Sequence, residues 1–330
     1  MSSKLDLNNI PKLVGVFSRK QAKNCYNVLE KTNWPLYLVG PSGSSKTITA
    51  MNLAKKYSKQ NDVPAYYVQL SPELTKTSLI LGLRLEKGSL VVAEGVVAKC
   101  MKEGGIIIVD EAPHGTQELL LMFNSILDRT SATSIGDKII YAKETFRIIF
   151  CGNDSSYAGN IRLPQSFAQR LVVFSFDYPT KIDEYRIAKS IISTEFNGNI
   201  DVPRCVFKYV TSMVRELRTK EYPLSARNIA MTIALLSLEK KEDNNIDEYF
   251  VSGANVNAVR TSIAKKILGK VESSHDLLHK DVVEFIKFVS DITIDNFKKC
   301  VYSAFLYYID IDGTELVDQE IKNKIQNSII

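Results

Sequence analysis

Residues 40–47 read GPSGSSKT. The apolar stretch YLV at 37–39 runs into this segment, and TITAMNLAKKY at 47–57 follows with helical spacing. A strand, a tight loop of small residues and a helix therefore follow one another, which is the frame of a nucleotide-phosphate loop. Backbone N–H groups of small residues can close around phosphates, and the positive end of the next helix points at them. The segment thus predicts an α/β nucleotide-binding fold.

The loop and the first helical residue supply a consecutive set of candidate nucleotide-binding residues. These are Gly40, Pro41, Ser42, Gly43, Ser44, Ser45, Lys46, Thr47 and Ile48. Lys46 would bring positive charge to the outer phosphates, and the Thr47 hydroxyl is placed to ligate Mg²⁺. One position departs from the usual pattern, because Ser45 stands where a glycine normally precedes the lysine. This serine must either keep an ordinary negative φ or accept some strain.

A second motif, GGIIIVDE at 104–111, joins a continuous β-branched run to two carboxylates. Such a run is typical of a strand buried on both faces of a parallel sheet. We expect Asp110 to hold Mg²⁺ through its water shell, and Glu111 to orient the attacking water as a base. An acidic pair that merely ends a strand is the alternative, but its distance from a phosphate loop favours a magnesium and hydrolysis site.

Composition is that of a globular protein. The 330 residues are 45% hydrophobic and 24% charged, with a formal net charge of +5. No apolar run approaches the ~20 residues of a membrane span, and MSSKLDLNNIPK at 1–12 lacks the apolar core of a signal peptide. We therefore expect a cytoplasmic protein without a membrane partner.

The five scattered cysteines suggest neither a disulfide framework nor a zinc site. The mild basic charge permits nucleic acid without requiring it.

The order of elements predicts the fold class. Strand-like runs at 36–39, 65–71, 104–111, 146–154 and 171–179 alternate with helical segments. This alternation predicts a doubly wound parallel sheet with its ligand at the carboxyl edge.

Four segments follow from these elements. A helical lead-in covers 1–34, the α/β domain 35–179, a small all-helical lid domain 180–248, and a helical C-terminal extension 249–330. Two β-hairpins are predicted inside the α/β domain, at 83–92 and 132–144.

The motifs together resemble the AAA+ ATPases, and within them the MoxR and dynein-related branch. The resemblance rests on GPSGSSKT, IIIVDEAPHGTQELLLMFNSILD, FRIIFCGND, LPQSFAQRLVVFSF and PLSARNIAM, and covers about 35–240. It implies a P-loop ATPase that uses ATP and Mg²⁺, assembles as a homo-oligomer in a hexameric ring, and remodels, assembles or activates a protein client. The motifs leave the choice between ATP and GTP open.

The resemblance also implies roles for three further residues. Asn153, at the end of the fourth strand, matches the first sensor, which lines up the lytic water with Glu111. Arg170 matches the arginine finger, which reaches the nucleotide of a neighbouring subunit. Arg162 and Arg129 are alternatives for this role.

Arg227, in LSARN, matches the second sensor, which extends from the lid to the γ-phosphate of its own subunit. The alternatives for this role are Arg204, Arg215 and Arg218.

Other features are weaker. Gln69 is a candidate switch that holds Glu111 inactive, and the two hairpins match insertions that usually face the pore of the ring. Lys87, Ser89 and Lys138 would then face substrate, although solvated turns explain them almost as well. His275 and His279 share a helical face but have no third ligand nearby in sequence.

Two other function classes remain open from the sequence. One is a nucleic-acid-associated motor of helicase or translocase type on the same fold, which the basic charge permits. The other is a nucleotide-gated scaffold with slow hydrolysis, which the substitution at Ser45 motivates.

Overall fold

The fold is taken from a computed structural model of the chain. It describes residues 2–86, 89–135, 138–153, 163–195, 202–219, 223–238, 256–269 and 279–290, and positions 276, 292, 297, 300, 301 and 304. The chain forms two compact units, residues 1–178 and 179–330. Within the described part, none of the helices has both the length and the apolar composition that a membrane span needs.

The first unit is built on a six-stranded sheet. Ten strands are present in the described residues: β1 Ser2–Lys4, β2 Leu36–Val39, β3 Ala65–Gln69, β4 Leu81–Glu86, β5 Ser89–Glu94, β6 Ile106–Asp110, β7 Ala132–Ile135, β8 Lys138–Tyr141, β9 Arg147–Gly152 and β10 Val172–Ser175. The order across the sheet is β1-β3-β6-β9-β2-β10. All neighbouring pairs are parallel except β1 with β3. The doubly wound parallel sheet predicted from the sequence is therefore confirmed.

Helices cover both faces of this sheet. Those of the first unit are α1 Val16–Lys31, α2 Lys46–Asn61, α3 Lys76–Ile80, α4 Val96–Glu103, α5 Gln117–Leu127 and α6 Gln165–Ala168, with a 3-10 turn at Ala112–His114. Alternate residues of β6 enter opposite cores, because side chains along a strand point to opposite faces. Ile106 and Ile108 pack in the core that holds Leu53 of α2, while Ile107 and Val109 pack in the core of α4 and α5. The β-branched run is thus buried on both faces, as its sequence predicts.

Both predicted hairpins are present. Strands β4 and β5 pair antiparallel from Leu81 with Glu94 to Glu86 with Ser89, and β7 and β8 pair between α5 and β9. The tips of the hairpins, at 87–88 and 136–137, lie outside the described residues, so Lys87 cannot be placed. Lys138 begins β8 with an exposed side chain.

The N-terminal segment contributes a strand that the sequence analysis does not foresee. Strand β1 pairs antiparallel with β3, with Ser3 opposite Tyr67, and covers that edge of the sheet. The sequence SSK has no apolar pattern, so its place in the sheet depends on backbone pairing alone.

The second unit is helical in its described part. It contains α7 Lys181–Glu195, α8 Arg204–Leu217, α9 Ala226–Leu238, α10 Val256–Leu268 and α11 Lys280–Ser290. One core joins these helices, and Ile263 of α10 and Phe285 of α11 are buried in it together with Met213 of α8. The segments that we separate in sequence as lid and C-terminal extension therefore share one compact unit.

Candidate nucleotide-binding site

The candidate site lies where the central strands end. Val39, the last residue of β2, is paired with Gly152 of β9, so Gly40 and Asn153 leave the sheet side by side. Gln69 of β3 is paired with Asp110 of β6 at the same edge. After β2 the chain crosses to β3 on one side of it, and later it returns to form β10 on the other side. The strand order thus reverses beside β2, and in open α/β sheets ligands usually bind in the crevice at such a topological switch point.

Lys46 connects the loop to β9. Its ammonium donates hydrogen bonds to the carbonyl oxygens of Gly40 (2.9 Å) and Pro41 (2.7 Å) and to Oδ1 of Asn153 (3.0 Å). The side chain is 7% exposed, and burial lowers its pKa, while the neighbouring carboxylates of Glu111 and Asp110 act in the opposite direction. A buried ammonium of this kind gains from an anionic ligand, because added negative charge favours the protonated form.

The carboxylate of Asp110 is bound on both oxygens. Oδ1 accepts hydrogen bonds from the Thr47 hydroxyl (3.3 Å) and from the backbone N–H of Glu111 (3.0 Å). Oδ2 accepts a hydrogen bond from the Tyr67 hydroxyl (2.9 Å). Three donors from three parts of the chain therefore fix the orientation of this carboxylate.

Glu111 follows in a left-handed backbone conformation, with φ 53° and ψ 42°. Its Oε2 is buried without a hydrogen-bond partner among the described residues, and Nδ1 of His114 lies 3.7 Å from it. Burial raises the pKa of Glu111, and the negative charge of Asp110 adds to this shift. A carboxyl group with a raised pKa is a stronger base toward water than an ordinary one.

The loop itself has the backbone of an anion-binding turn. Gly43 and Ser45 have φ values of 75° and 70°, in the left-handed region. Alternating right- and left-handed residues turn successive N–H groups toward one point, where an anion can bind. Ser45 thus accepts the strained conformation, the second of the two options that the sequence allows.

The loop also approaches the sheet closely at its first residue. A Cβ at Gly40 would lie 1.9 Å from the carbonyl oxygen of Phe176. Only glycine fits there, so the start of the loop packs directly on the end of β10.

These residues fit a magnesium–nucleotide pair. The hydroxyl of Thr47 and the carboxylate of Asp110 are oxygen ligands of the type that Mg²⁺ prefers, and they converge beside Lys46. In the described part of the chain there is no group of three or more His, Cys, Asp and Glu side chains that could hold a metal ion. Mg²⁺ needs no such group, because it is commonly bound by one or two carboxylates together with substrate phosphates.

Comparison with known families agrees with this geometry. Residues 35–171 match the family described as AAA domain, dynein-related subfamily. Residues 35–171 are therefore similar to an AAA+ domain. The match begins just before β2 and ends just before β10, so it includes the loop, Asp110, Glu111 and Asn153.

Curated relatives and solved structures give further matches. Uncharacterised proteins of Staphylococcus aureus, including those of strains USA300 and NCTC 8325, are 32% identical over 154 residues, which is 44% of this chain and 56% of each relative. The chain therefore spans just over half of the length of these relatives.

Solved structures show a similar fold. NtrX from Brucella abortus in complex with ADP has 14% sequence identity and a TM-score of 0.52 over 99% of this chain and 70% of that one. A second NtrX structure has 15% identity and a TM-score of 0.52 over 98% and 70%. At these identities the likeness shows the fold alone.

Arg170 lies in the first unit, at the amino ends of the strands, whereas the phosphate loop follows their carboxyl ends. It comes two residues before Val172, which is paired with Leu36, the first residue of β2. The loop begins after Val39, the last residue of that strand, and four residues of strand span about 13 Å. Arg170 is therefore not one of the residues that the fold brings to the loop of its own chain.

The Arg170 guanidinium is bound within its own chain. Nε and Nη2 donate to the two carboxylate oxygens of Asp128 (2.6 and 3.3 Å), and Nη1 donates to the carbonyl oxygen of Ser166 (2.5 Å). Of the two alternatives for the finger, Arg129 is exposed and Arg162 lies outside the described residues. The role of Arg170 stays a prediction.

Arg227 belongs to the second unit. It is the second residue of α9, its backbone N–H donates to Oγ of Ser225 (3.3 Å), and its side chain is exposed. Two of its alternatives, Arg215 and Arg218, both bind the buried carboxylate of Glu184. Arg204 and Arg215 are exposed like Arg227, so exposure does not single out one arginine, and the role of Arg227 as a sensor stays a prediction.

Two residues that contribute to the site, Tyr67 and Gly152, are not among those predicted from the sequence. The Tyr67 hydroxyl reaches Asp110 from the neighbouring strand, and its position two residues before Gln69, on the same face of β3, is the signal that could have found it. A Cβ at Gly152 would lie 2.4 Å from Cδ of Pro113 and 2.7 Å from the Tyr37 hydroxyl. Glycine there lets the turn that follows Glu111 pack against the end of β9.

Proposed function

We propose that the AAA+ domain binds ATP with Mg²⁺ and hydrolyses it at the carboxyl edge of its sheet. One observation carries the proposal: Lys46, Thr47 and Asp110 converge there with Asn153 and with the carboxylate of Glu111, whose Oε2 has no hydrogen-bond partner among the described residues. This set combines charge for phosphates, oxygen ligands for a divalent cation and a base for water.

Each residue then has a separate task. Lys46 and the loop amides would hold the phosphates, and Thr47 with Asp110 would hold Mg²⁺, which neutralises charge on the phosphate oxygens. Glu111 would accept a hydrogen bond from a water molecule and direct its oxygen at the outer phosphorus. Asn153, fixed beside Lys46, would position that water from the other side.

Replacing Glu111 by glutamine tests this assignment. The amide keeps the shape but cannot accept the proton, so we expect ATP turnover to fall by about 10²–10⁴-fold while Mg²⁺–ATP still binds. Steady-state phosphate release and equilibrium binding of a fluorescent ATP analogue measure the two effects.

Glu118→Gln is the matched control, since Glu118 is an exposed carboxylate in the first turn of α5. It should retain full turnover. Unchanged turnover in Glu111→Gln, with binding intact, would remove Glu111 from the role of base.

We further propose that the chain acts as a ring ATPase of MoxR type on a protein client. The order of motifs supports this, as does the position of Arg170, which can only reach a nucleotide if another subunit supplies it. The proposal of a ring is based on the family resemblance and on the position of Arg170 away from the phosphate loop. The proposal of a protein client is based on the resemblance alone. The nucleic-acid motor has weaker support, because the hairpin sequence at 83–92 has only two basic residues, Arg84 and Lys87.

A nucleotide-gated scaffold with slow hydrolysis is a second candidate. The serine at position 45 motivates it, because the left-handed conformation that turns the loop amides toward an anion costs a serine more than a glycine. A purified chain that binds Mg²⁺–ATP tightly but turns it over no faster than Glu111→Gln would support the scaffold.

A further inference from the structure

The orientation of Asp110 depends on a hydroxyl from outside the two nucleotide motifs. Tyr67 stands in β3, where it is paired with Ile108, two residues before the end of β6. Its ring extends along the strand toward the carboxyl edge, and its hydroxyl donates to Oδ2 of Asp110 at 2.9 Å. The contact therefore joins a neighbouring strand to the carboxylate that faces the phosphate-loop helix.

The two oxygens of Asp110 consequently have different surroundings. Oδ2 is directed at Tyr67, whereas Oδ1 is directed at Thr47 and at the N–H of Glu111. Asp110 is only 6% exposed, so water competes little for either oxygen. A donor on each oxygen prevents the carboxylate from rotating and keeps Oδ1 beside the Thr47 hydroxyl.

We propose that Tyr67 is a positioning residue for the Mg²⁺ site, which it serves by holding Oδ2 of Asp110 so that Oδ1 faces Thr47. The proposal rests on the proposed function. Groups that hydrogen-bond to metal-binding side chains fix the orientation of those side chains, and their loss typically weakens metal affinity 10- to 100-fold. The Tyr67 hydroxyl acts through Asp110, so its effect should be confined to the metal.

Tyr67→Phe removes only the hydroxyl and keeps the ring. The Glu111→Gln background prevents hydrolysis, so binding of a fluorescent ATP analogue can be titrated with Mg²⁺ at equilibrium, and measured separately in EDTA. We expect the Mg²⁺ concentration for half-maximal binding to rise about tenfold. We expect affinity in EDTA to change less than about twofold, because the loop amides and Lys46 are untouched.

Tyr66→Phe is the matched control. Tyr66 is the preceding residue of the same strand, and its hydroxyl donates to the carboxylate of Glu103 at the end of α4, away from the site. Both variants lose one hydroxyl-to-carboxylate hydrogen bond, so a general loss of stability should appear in both thermal unfolding curves. Only Tyr67→Phe should shift the Mg²⁺ titration.

Two results would overturn the proposal. One is a Mg²⁺ titration of Tyr67→Phe that matches Tyr66→Phe. The other is an equal loss of affinity with Mg²⁺ and in EDTA, which would show that the hydroxyl supports packing of the whole site. If the parent protein itself shows no Mg²⁺-dependent gain in nucleotide affinity, the proposed function fails as well, so the two failures are distinguishable.

Discussion

Backbone strain is concentrated at the two motifs of the candidate site. Among the described residues, four non-glycine residues have positive φ, and two of them are Ser45, next to Lys46, and Glu111, next to Asp110. A left-handed conformation costs an L-residue about 1–2 kcal/mol. Such strain persists where the surrounding structure imposes it, and it is common at functional sites.

Replacing Ser45 by glycine should stabilise the protein. Glycine adopts φ 70° without the steric cost of a Cβ, so we expect the free energy of unfolding to rise by about 1 kcal/mol. Nucleotide affinity should stay the same or increase, because the loop keeps its shape. Urea denaturation and equilibrium nucleotide binding measure these two quantities.

Ser42→Gly is the control in the same loop. Ser42 is exposed and does not have a positive φ, so glycine relieves nothing there and adds only flexibility to the unfolded chain. Equal stability of the two glycine variants would show that the conformation of Ser45 carries no cost.

The candidate site could be predicted from sequence only in part. Asp110 ends a buried strand, Asn153 follows one, and Lys46 begins the helix after the loop that leaves β2. The carboxyl ends of parallel strands meet at one edge of the sheet. Their convergence could therefore be expected. The contact from Tyr67 could be expected only in part. The sequence places Tyr67 on the same face of β3 as Gln69, but the register between β3 and β6, which brings its hydroxyl to Asp110, cannot be read from the sequence of either strand.

At the level of elements, the predicted strands and helices of the first unit are present with small shifts at their ends. The β-branched and aromatic runs that form β6 and β9 leave little ambiguity, since both are buried along their whole length. The predicted strand at 171–179 is shorter, Val172–Ser175, because only these residues pair with β2. Short elements without an apolar pattern, such as β1, are invisible to this reasoning.

In the second unit, one buried carboxylate joins two helices. Glu184 of α7 is fully buried and accepts hydrogen bonds from Arg215 of α8 (2.7 Å) and from Arg218, which follows α8 (2.5 Å). Loss of one partner from a buried ion pair leaves uncompensated charge. We therefore expect Glu184→Gln to lower the free energy of unfolding of this unit by about 3 kcal/mol, measured by urea denaturation of the full chain.

Glu195→Gln, at the exposed C-terminal end of the same helix, provides the comparison. A surface substitution of this type changes stability by less than about 0.5 kcal/mol. If both variants unfold at the same urea concentration, the contact between Glu184 and the two arginines does not hold α7 and α8 together.

The phosphate loop follows the carboxyl ends of the strands of the sheet, and Arg170 lies at their amino ends. Under the proposed function, the arginine can therefore act only on the nucleotide of a neighbouring copy. A heterologous contact of this kind, repeated around a closed ring, gives every site one arginine from the next subunit. Arg170→Ala should then bind Mg²⁺–ATP normally but lose turnover about 10³–10⁵-fold, the range known for arginines supplied in trans.

Mixing two inactive variants tests this account most directly. Arg170→Ala and Glu111→Gln are combined in equal amounts with ATP, co-assembly is followed by light scattering, and phosphate release is measured. We predict recovery to about one quarter of the wild-type turnover, because half of the sites keep Glu111 and half of their neighbours supply Arg170. A mixture that co-assembles and binds nucleotide, yet stays as inactive as either variant alone, would contradict catalysis by Glu111 with Arg170 in trans.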